Sequence, residues 1–348
     1  MVKKLIYILL LLPMACIDPY QVNVPGGPQL LTVDGLIHSG PGPHAVTISQ
    51  SATYGSIFER LIRPVRGAIV VIRDNEGNVI LLEEGLETRG SYFTPVGFQA
   101  KIGNSYTLQI QTAEGKVYTS LPERVESAPQ IENIELKTVK IPVKGETNPR
   151  SGVQLISEIN DPADQKNFYF WRLSPVVHVL EARPDLHFDQ RTLTPAPKAC
   201  CYTCFKTEAV GNQSLFIAQD DSFNGLKTRI PTGFIEDNGI RFVNKLRVDV
   251  NQYAVSKEAY RFLRLVKQQA EINGSIFDPP PATIRGNMVS LDDPEEVVLG
   301  YFIAAGASKK RIYIDKSDLT FRQNTVIIPD DCRAVDGAKL FPPADWNP

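Results

Sequence analysis

Charge of either sign is not in excess in this chain: 37 Lys and Arg stand against 39 Asp and Glu, a formal net charge of −2. A balance that close to zero excludes the electrostatic footprint of a nucleic-acid binder. Histidine is scarce. The four residues are His38, His44, His178 and His187, and no two form an HExxH pair, which excludes that zinc-protease arrangement. There is no G-x-S-x-G, hence no nucleophile elbow. Adjacent acids occur at Asp220-Asp221, Asp292-Asp293 and Asp330-Asp331. Such neighbours in Pro- or Ser-flanked segments read as solvated turns, whereas a glycosidase needs two carboxyls about 5–9.5 Å apart across a cleft. No catalytic constellation is visible, no cofactor is called for, and the expectation is a protein without enzymatic activity. Beyond residue 16 there is also no apolar run of the roughly 20 residues that a membrane-crossing helix requires. Any membrane attachment must therefore rest at the amino end.

What stands at that end is MVKKLIYILLLLPMAC. Two lysines precede a short apolar run, followed by small residues and a cysteine, which is the layout of an export signal. Cys16 directly follows Ala15, as in a bacterial lipoprotein signal, where the cysteine becomes the acylated first residue of the mature chain. Pro13 stands where such signals usually carry leucine. An ordinary secretory signal with an incidental cysteine is the alternative. Several acyl chains on Cys16, palmitate among them, hold a protein firmly, because each buried methylene contributes about 0.8 kcal/mol.

Five cysteines are present, and four remain if Cys16 carries lipid: Cys200, Cys201, Cys204 and Cys332. An even number in an exported chain reads as a disulfide framework. Adjacency argues against pairing Cys200 with Cys201, and Cys332 is placed to tie the tail back to the loop at 200–204. Cys201-x-x-Cys204 also permits a metal-site reading, but His178 and His187 lack the paired spacing of a closed zinc site.

The chain is long for one core, so two domains are expected. Residues 1–15 form the leader and 16–30, rich in Pro and Gly, a tether. From 31 to 125, short alternating segments predict strands at 31–37, 44–50 and 91–93. Two hairpins turn at Asp74-Asn75-Glu76-Gly77 and Glu114-Gly115. This predicts an N-terminal β-sandwich, immunoglobulin-like or carboxypeptidase-regulatory-like. A second β-rich domain is expected over 126–348, with strands at 131–139, 153–161, 167–180, 239–256, 282–289, 297–304 and 310–314. The aromatic run Phe168-Tyr169-Phe170-Trp171 reads as core, with a ligand platform as the alternative. Residues 181–204 read as an irregular loop held by covalent bonds.

One helix is predicted over about 256–273. Ser256 caps it, Glu258 stands in its first turn, and Asn273-Gly274 closes it. Its basic residues Lys257, Arg261, Arg264 and Lys267 form a solvated or a partner-binding face. Pro279, Pro280 and Pro281 then fix an extended segment. With Phe277 they either staple the helix end to the sheet or dock a partner.

The words LTVDGLI, GAIVVIRDNEGN and GNSYTLQIQTAEGKVYTS, followed in order by VSKEAYRFL, NGSIFDPPPATIRGNM and LGYF, resemble a family of exported Bacteroidota lipoproteins known as DUF4249. The resemblance covers nearly the whole mature chain. It implies an outer-membrane lipoprotein, non-catalytic, associated with a TonB-dependent receptor or another β-barrel, and it carries over no catalytic residue. A secreted hydrolase acting on glycan or peptide, and a purely structural envelope protein, are the alternatives.

Overall fold

A computed structural model of the chain describes residues 29–51, 63–142, 149–163, 165–210, 215–271 and 283–348. It is mainly β, with a single α-helix among the described residues. The first run of strands is β1 (Leu31–His38), β2 (Ala45–Gln50), β3 (Arg63–Pro64), β4 (Ile69–Asp74), β5 (Val79–Glu84), β6 (Ser91–Phe93), β7 (Ser105–Gln111), β8 (Val117–Ser120) and β9 (Glu123–Arg124). Both predicted hairpins form, β4–β5 and β7–β8. Gly77 and Gly115 each take φ near +90°, a region an L side chain rarely enters. Alternation then sends Val33, Ile37, Val46 and Ile48 from one layer to meet Val70, Ile72, Leu108 and Ile110 from the other in one core.

The second run is β10 (Ile131–Ile141), β11 (Arg150–Asn160), β12 (Phe168–Leu173), β13 (Val176–Glu181), β14 (Thr203–Glu208), β15 (Phe216–Gln219), β16 (Lys227–Glu236) and β17 (Lys245–Ala254). It continues with α1 (Lys257–Ala270), β18 (Met288–Ser290), β19 (Leu299–Asp315) and β20 (Ala338–Lys339). Strands β10, β11 and β16 form a separate three-stranded sheet. Its apolar face packs on β12, β17 and the end of β19 through Leu155, Ile235, Trp171, Val248 and Ile314.

The aromatic run on β12 is core, and the geometry says why it does not alternate with polar residues. Tyr169 and Trp171 face the three-stranded sheet, whereas Phe168 and Phe170 face α1. A strand covered on both faces has no solvent side to keep polar.

Two expected strands, 297–304 and 310–314, are one strand of 17 residues. The small residues Ala304-Ala305-Gly306-Ala307 resemble a break but mark a crossing, where the segment leaving the first layers passes over β19. A Cβ built on Gly306 would lie 2.0 Å from the Glu126 carbonyl oxygen. Ser308 and Gln252 hold the same crossing segment. The Ser308 hydroxyl accepts from the Ile131 N–H at 3.1 Å, and the Gln252 amide donates to the Pro129 carbonyl at 2.7 Å.

Strand β19 joins both halves of the molecule. Its first half runs parallel to β1, from Thr32↔Leu299 to His38↔Ala305, and its second half antiparallel to β17. Strand β18 adds to the edge of β8. Met288, Val298, Phe302 and Ala304 thus complete the first core from the far end of the sequence. Helix α1 lies over the seam, with Ala259 and Leu263 buried against Phe170, Tyr253 and Ile303. The Ser256 hydroxyl accepts from the Ala259 N–H at 3.0 Å, which is the predicted cap. The helix ends at Ala270, and the expected stop at Asn273-Gly274 lies outside the described residues.

Candidate functional site

Cys16, Phe277, Pro279, Pro280 and Pro281 lie outside the described residues. The four remaining cysteines lie inside them. Cys204 on β14 bonds Cys332, with Cα atoms 5.7 Å apart, and ties the tail across 128 residues of sequence. Around this bond Leu180, Ala182 and Ile328 form a small core of their own. Cys200 and Cys201 are bonded to each other, which corrects the argument from adjacency. Cys201 takes φ +71°, and the turned backbone brings neighbouring side chains together. With Cys204 engaged by Cys332, a metal site on Cys201-x-x-Cys204 loses a ligand. Among the described residues no group of three His, Cys, Asp or Glu is placed to hold a metal ion.

The adjacent acids are all turn and pairing residues. Asp220 accepts from the Asn167 N–H at 2.7 Å, and Asp221 pairs with Lys166. Asp292 accepts from the Val117 N–H at 2.7 Å, and Asp293 from the Glu295 N–H at 3.0 Å. Asp330 holds Lys198 at 2.6 Å, and Asp331 caps the turn at Arg333.

The most constructed polar site lies at the seam, where a cavity of about 430 Å³ opens between β9, β12 and the start of α1. Glu123, 3% exposed, projects into the seam from the two-residue strand β9. Its carboxylate accepts from the Tyr301 hydroxyl at 2.6 Å, the Ser256 hydroxyl at 2.7 Å and the Asn287 amide at 3.4 Å. Asn287 in turn bonds the backbone of Phe302 through both ends of its amide, at 2.9 Å each. One carboxyl thereby ties β9, the helix cap, the approach to β18 and β19. Burial pushes the Glu123 carboxyl above its ordinary value, against the three donors that favour its charge. Burial and that neighbouring carboxyl push the Tyr301 hydroxyl well up. Glu126, Glu258, Arg124 and Lys257 also line the cavity. The arrangement can hold a proton and bind polar groups, but the hydroxyls beside Glu123 are committed to structural bonds.

A second cluster went unforeseen because its members are separated by a turn. His38 at the end of β1 and His44 before β2 meet edge to face with ring centroids 4.1 Å apart, and the Tyr253 ring lies 5.3 Å from that of His38. Burial, with His44 beside it, holds His38 down to about 4, and burial lowers His44 as well. His178, buried on β13, lies 3.3 Å from Glu208. His178 beside it and the Arg241 guanidinium, which donates at 2.6 Å, hold the Glu208 carboxyl far below its usual range. Nothing in the local sequence marks Glu123, which falls in a segment that reads as a boundary. Its neighbourhood becomes visible only once β19 and α1 are placed.

A family model described as a domain of unknown function, DUF4249, matches residues 17–311. No curated protein matches the chain. The matched span ends inside β19, so both of its layers, the helix and the seam fall within it, and the Cys332 tail follows it.

Proposed function

This chain belongs to the DUF4249 family, and we propose that it is an outer-membrane lipoprotein, a non-catalytic accessory or binding partner of a TonB-dependent receptor or another β-barrel. One observation carries the reading: Cys16 directly follows a charged and then apolar leader, MVKKLIYILLLLPMA. The described structure supports it. Among the described residues the first strand begins at Leu31, and the sequence of 16–30 before it is rich in Pro and Gly. The buried Glu123 spends its carboxyl on cross-seam bonds. Cys204 and Cys332 form a disulfide, which persists outside the reducing cytosol.

The test is extraction of the protein from its own membranes in mild detergent. An amino-terminal peptide carrying thioether-linked acyl chains on Cys16, and a large β-barrel that co-purifies, are expected. An unacylated terminus, or cleavage at another site, removes the anchor. An acylated protein that elutes alone removes the partner.

A further inference from the structure

We propose that the outer face of α1 is a docking surface for the anionic headgroups of the membrane that holds the anchor. This inference rests on the lipid anchor proposed above. Lys257, Arg261, Arg264 and Gln268 follow one another at spacings of four, three and four residues, which places them in one stripe along the helix. All four are exposed. Leu265, 39% exposed, stands beside them. The apolar side of the helix is spent on the seam, so the stripe is what the element presents outward.

Three observations separate this stripe from an ordinary solvated face. First, none of its three cations forms an ion pair among the described residues. Elsewhere Lys101, Lys166, Lys227, Arg229, Arg241 and Arg311 are each matched to a carboxylate; exposed cations without one, such as Lys137, Arg191 and Arg322, are scattered, whereas these three share one face. Second, Lys257 stands in the first turn of the helix, where a cation opposes the dipole, so helix stability does not explain it. Third, the tether enters beside the helix, on the side away from the stripe. Leu30, where the chain enters the fold, shares an open cavity of about 440 Å³ with Phe262, Val266 and Gln269. Some 14 residues join Leu30 to Cys16, a reach of at most about 50 Å. An anchor at Cys16 therefore keeps α1 within reach of the headgroups. Basic residues that the tether lets come within a Debye length, about 8–10 Å, are attracted by an anionic surface, and a neighbouring exposed leucine suits the headgroup boundary.

The test introduces Gln268→Cys and labels it with an environment-sensitive fluorophore. The other cysteines are paired or, at Cys16, blocked by the acyl chains proposed above. Full-length protein purified from membranes is placed in vesicles of phosphatidylcholine, with or without about one-third phosphatidylglycerol. Blue-shifted emission in the anionic vesicles alone is expected, abolished by 0.5 M salt and by the combined K257Q, R261Q and R264Q substitutions. Those three cations together contribute about a hundredfold in partition. Since all three are exposed and unpaired, an unchanged melting curve checks that the variant folds.

Equal emission in both vesicle types overturns the inference. So does a shift that appears only in native membranes and vanishes when their proteins are digested, which assigns the stripe to an acidic protein. The mass of the amino-terminal peptide reports the anchor separately. If it is unacylated, flotation of the protein with anionic but not neutral vesicles still supports the stripe, and flotation with neither overturns it.

Discussion

A single side chain, Glu123, accepts hydrogen bonds from residues 133, 164 and 178 positions away in sequence. Its replacement by alanine leaves the Tyr301 and Ser256 hydroxyls without their acceptor, while Asn287 keeps the Phe302 carbonyl, and each such donor costs about 1–3 kcal/mol. Partial relaxation toward the neighbouring cavity lowers that sum, and a net loss of about 2–4 kcal/mol is expected for Glu123→Ala in urea unfolding. Glu123→Gln keeps one acceptor and loses about 1 kcal/mol at neutral pH. The sign of its pH dependence follows from the raised carboxyl. The folded state holds the Glu123 proton more tightly than the unfolded chain does. The stability this group contributes is therefore present in acid and declines as pH rises through the raised value. The gap between the wild type and the Gln variant should narrow from pH 4 to pH 7. A gap that widens over that range would show the carboxyl to be lowered by its donors.

At the scale of the element, β19 shows both what the sequence pattern reveals and where it stops. Alternation located β1, β2, the two hairpins and the body of β10 and β11, because each of these strands has one buried and one exposed face. The capped amphipathic helix was equally legible, since Ser256 and the apolar spacing act within one element. Pattern failed where a partner distant in sequence sets the local rule. Strand β12 is covered on both sides, and position 306 is glycine because another backbone crosses there. Glu123 fails for the same reason, since all of its partners are remote. The lipid site proposed at Cys16 is the opposite case, an expectation drawn wholly from local residues. The crossing supplies its own test. Gly306→Ala sets a methyl 2.0 Å from the Glu126 carbonyl oxygen, a backbone atom that cannot move alone, and is expected to cost about 3 kcal/mol or more. At Gly115, where φ is near +90° and an added Cβ meets nothing, the same change costs about 1–2 kcal/mol. Equal losses at the two glycines in thermal melts would remove the crossing as the reason.

The whole molecule is stitched from both ends of the chain, and that decides which pieces can fold. A polypeptide ending at residue 129 contains every strand of the first run. It lacks β18, β19 and the core residues Met288, Val298, Phe302 and Ala304. The edge of β1 then loses seven paired positions and β8 loses its neighbour. An open edge beside an incomplete core invites pairing with other chains. Such a piece is expected to aggregate or to show no cooperative melt. A chain ending at residue 315 keeps the first core, the seam and all of the second core but Leu319, and loses Ile328 and Cys332 from the small core around Cys204. It gives up the Cys204–Cys332 bond and the contacts of Asp345 with Arg247 and Arg311, each 2.7 Å. Closing a loop of 128 residues contributes about 4–5 kcal/mol in the chain-entropy account and commonly less in practice. The longer truncation should therefore unfold cooperatively at a lower temperature than the full chain, while the shorter one has no transition to shift. Differential scanning calorimetry separates the two outcomes. A sharp, reversible transition for the 129-residue piece would mean that the first layers hold a core without the strand that returns to them, and the seam would then join two units that already stand alone.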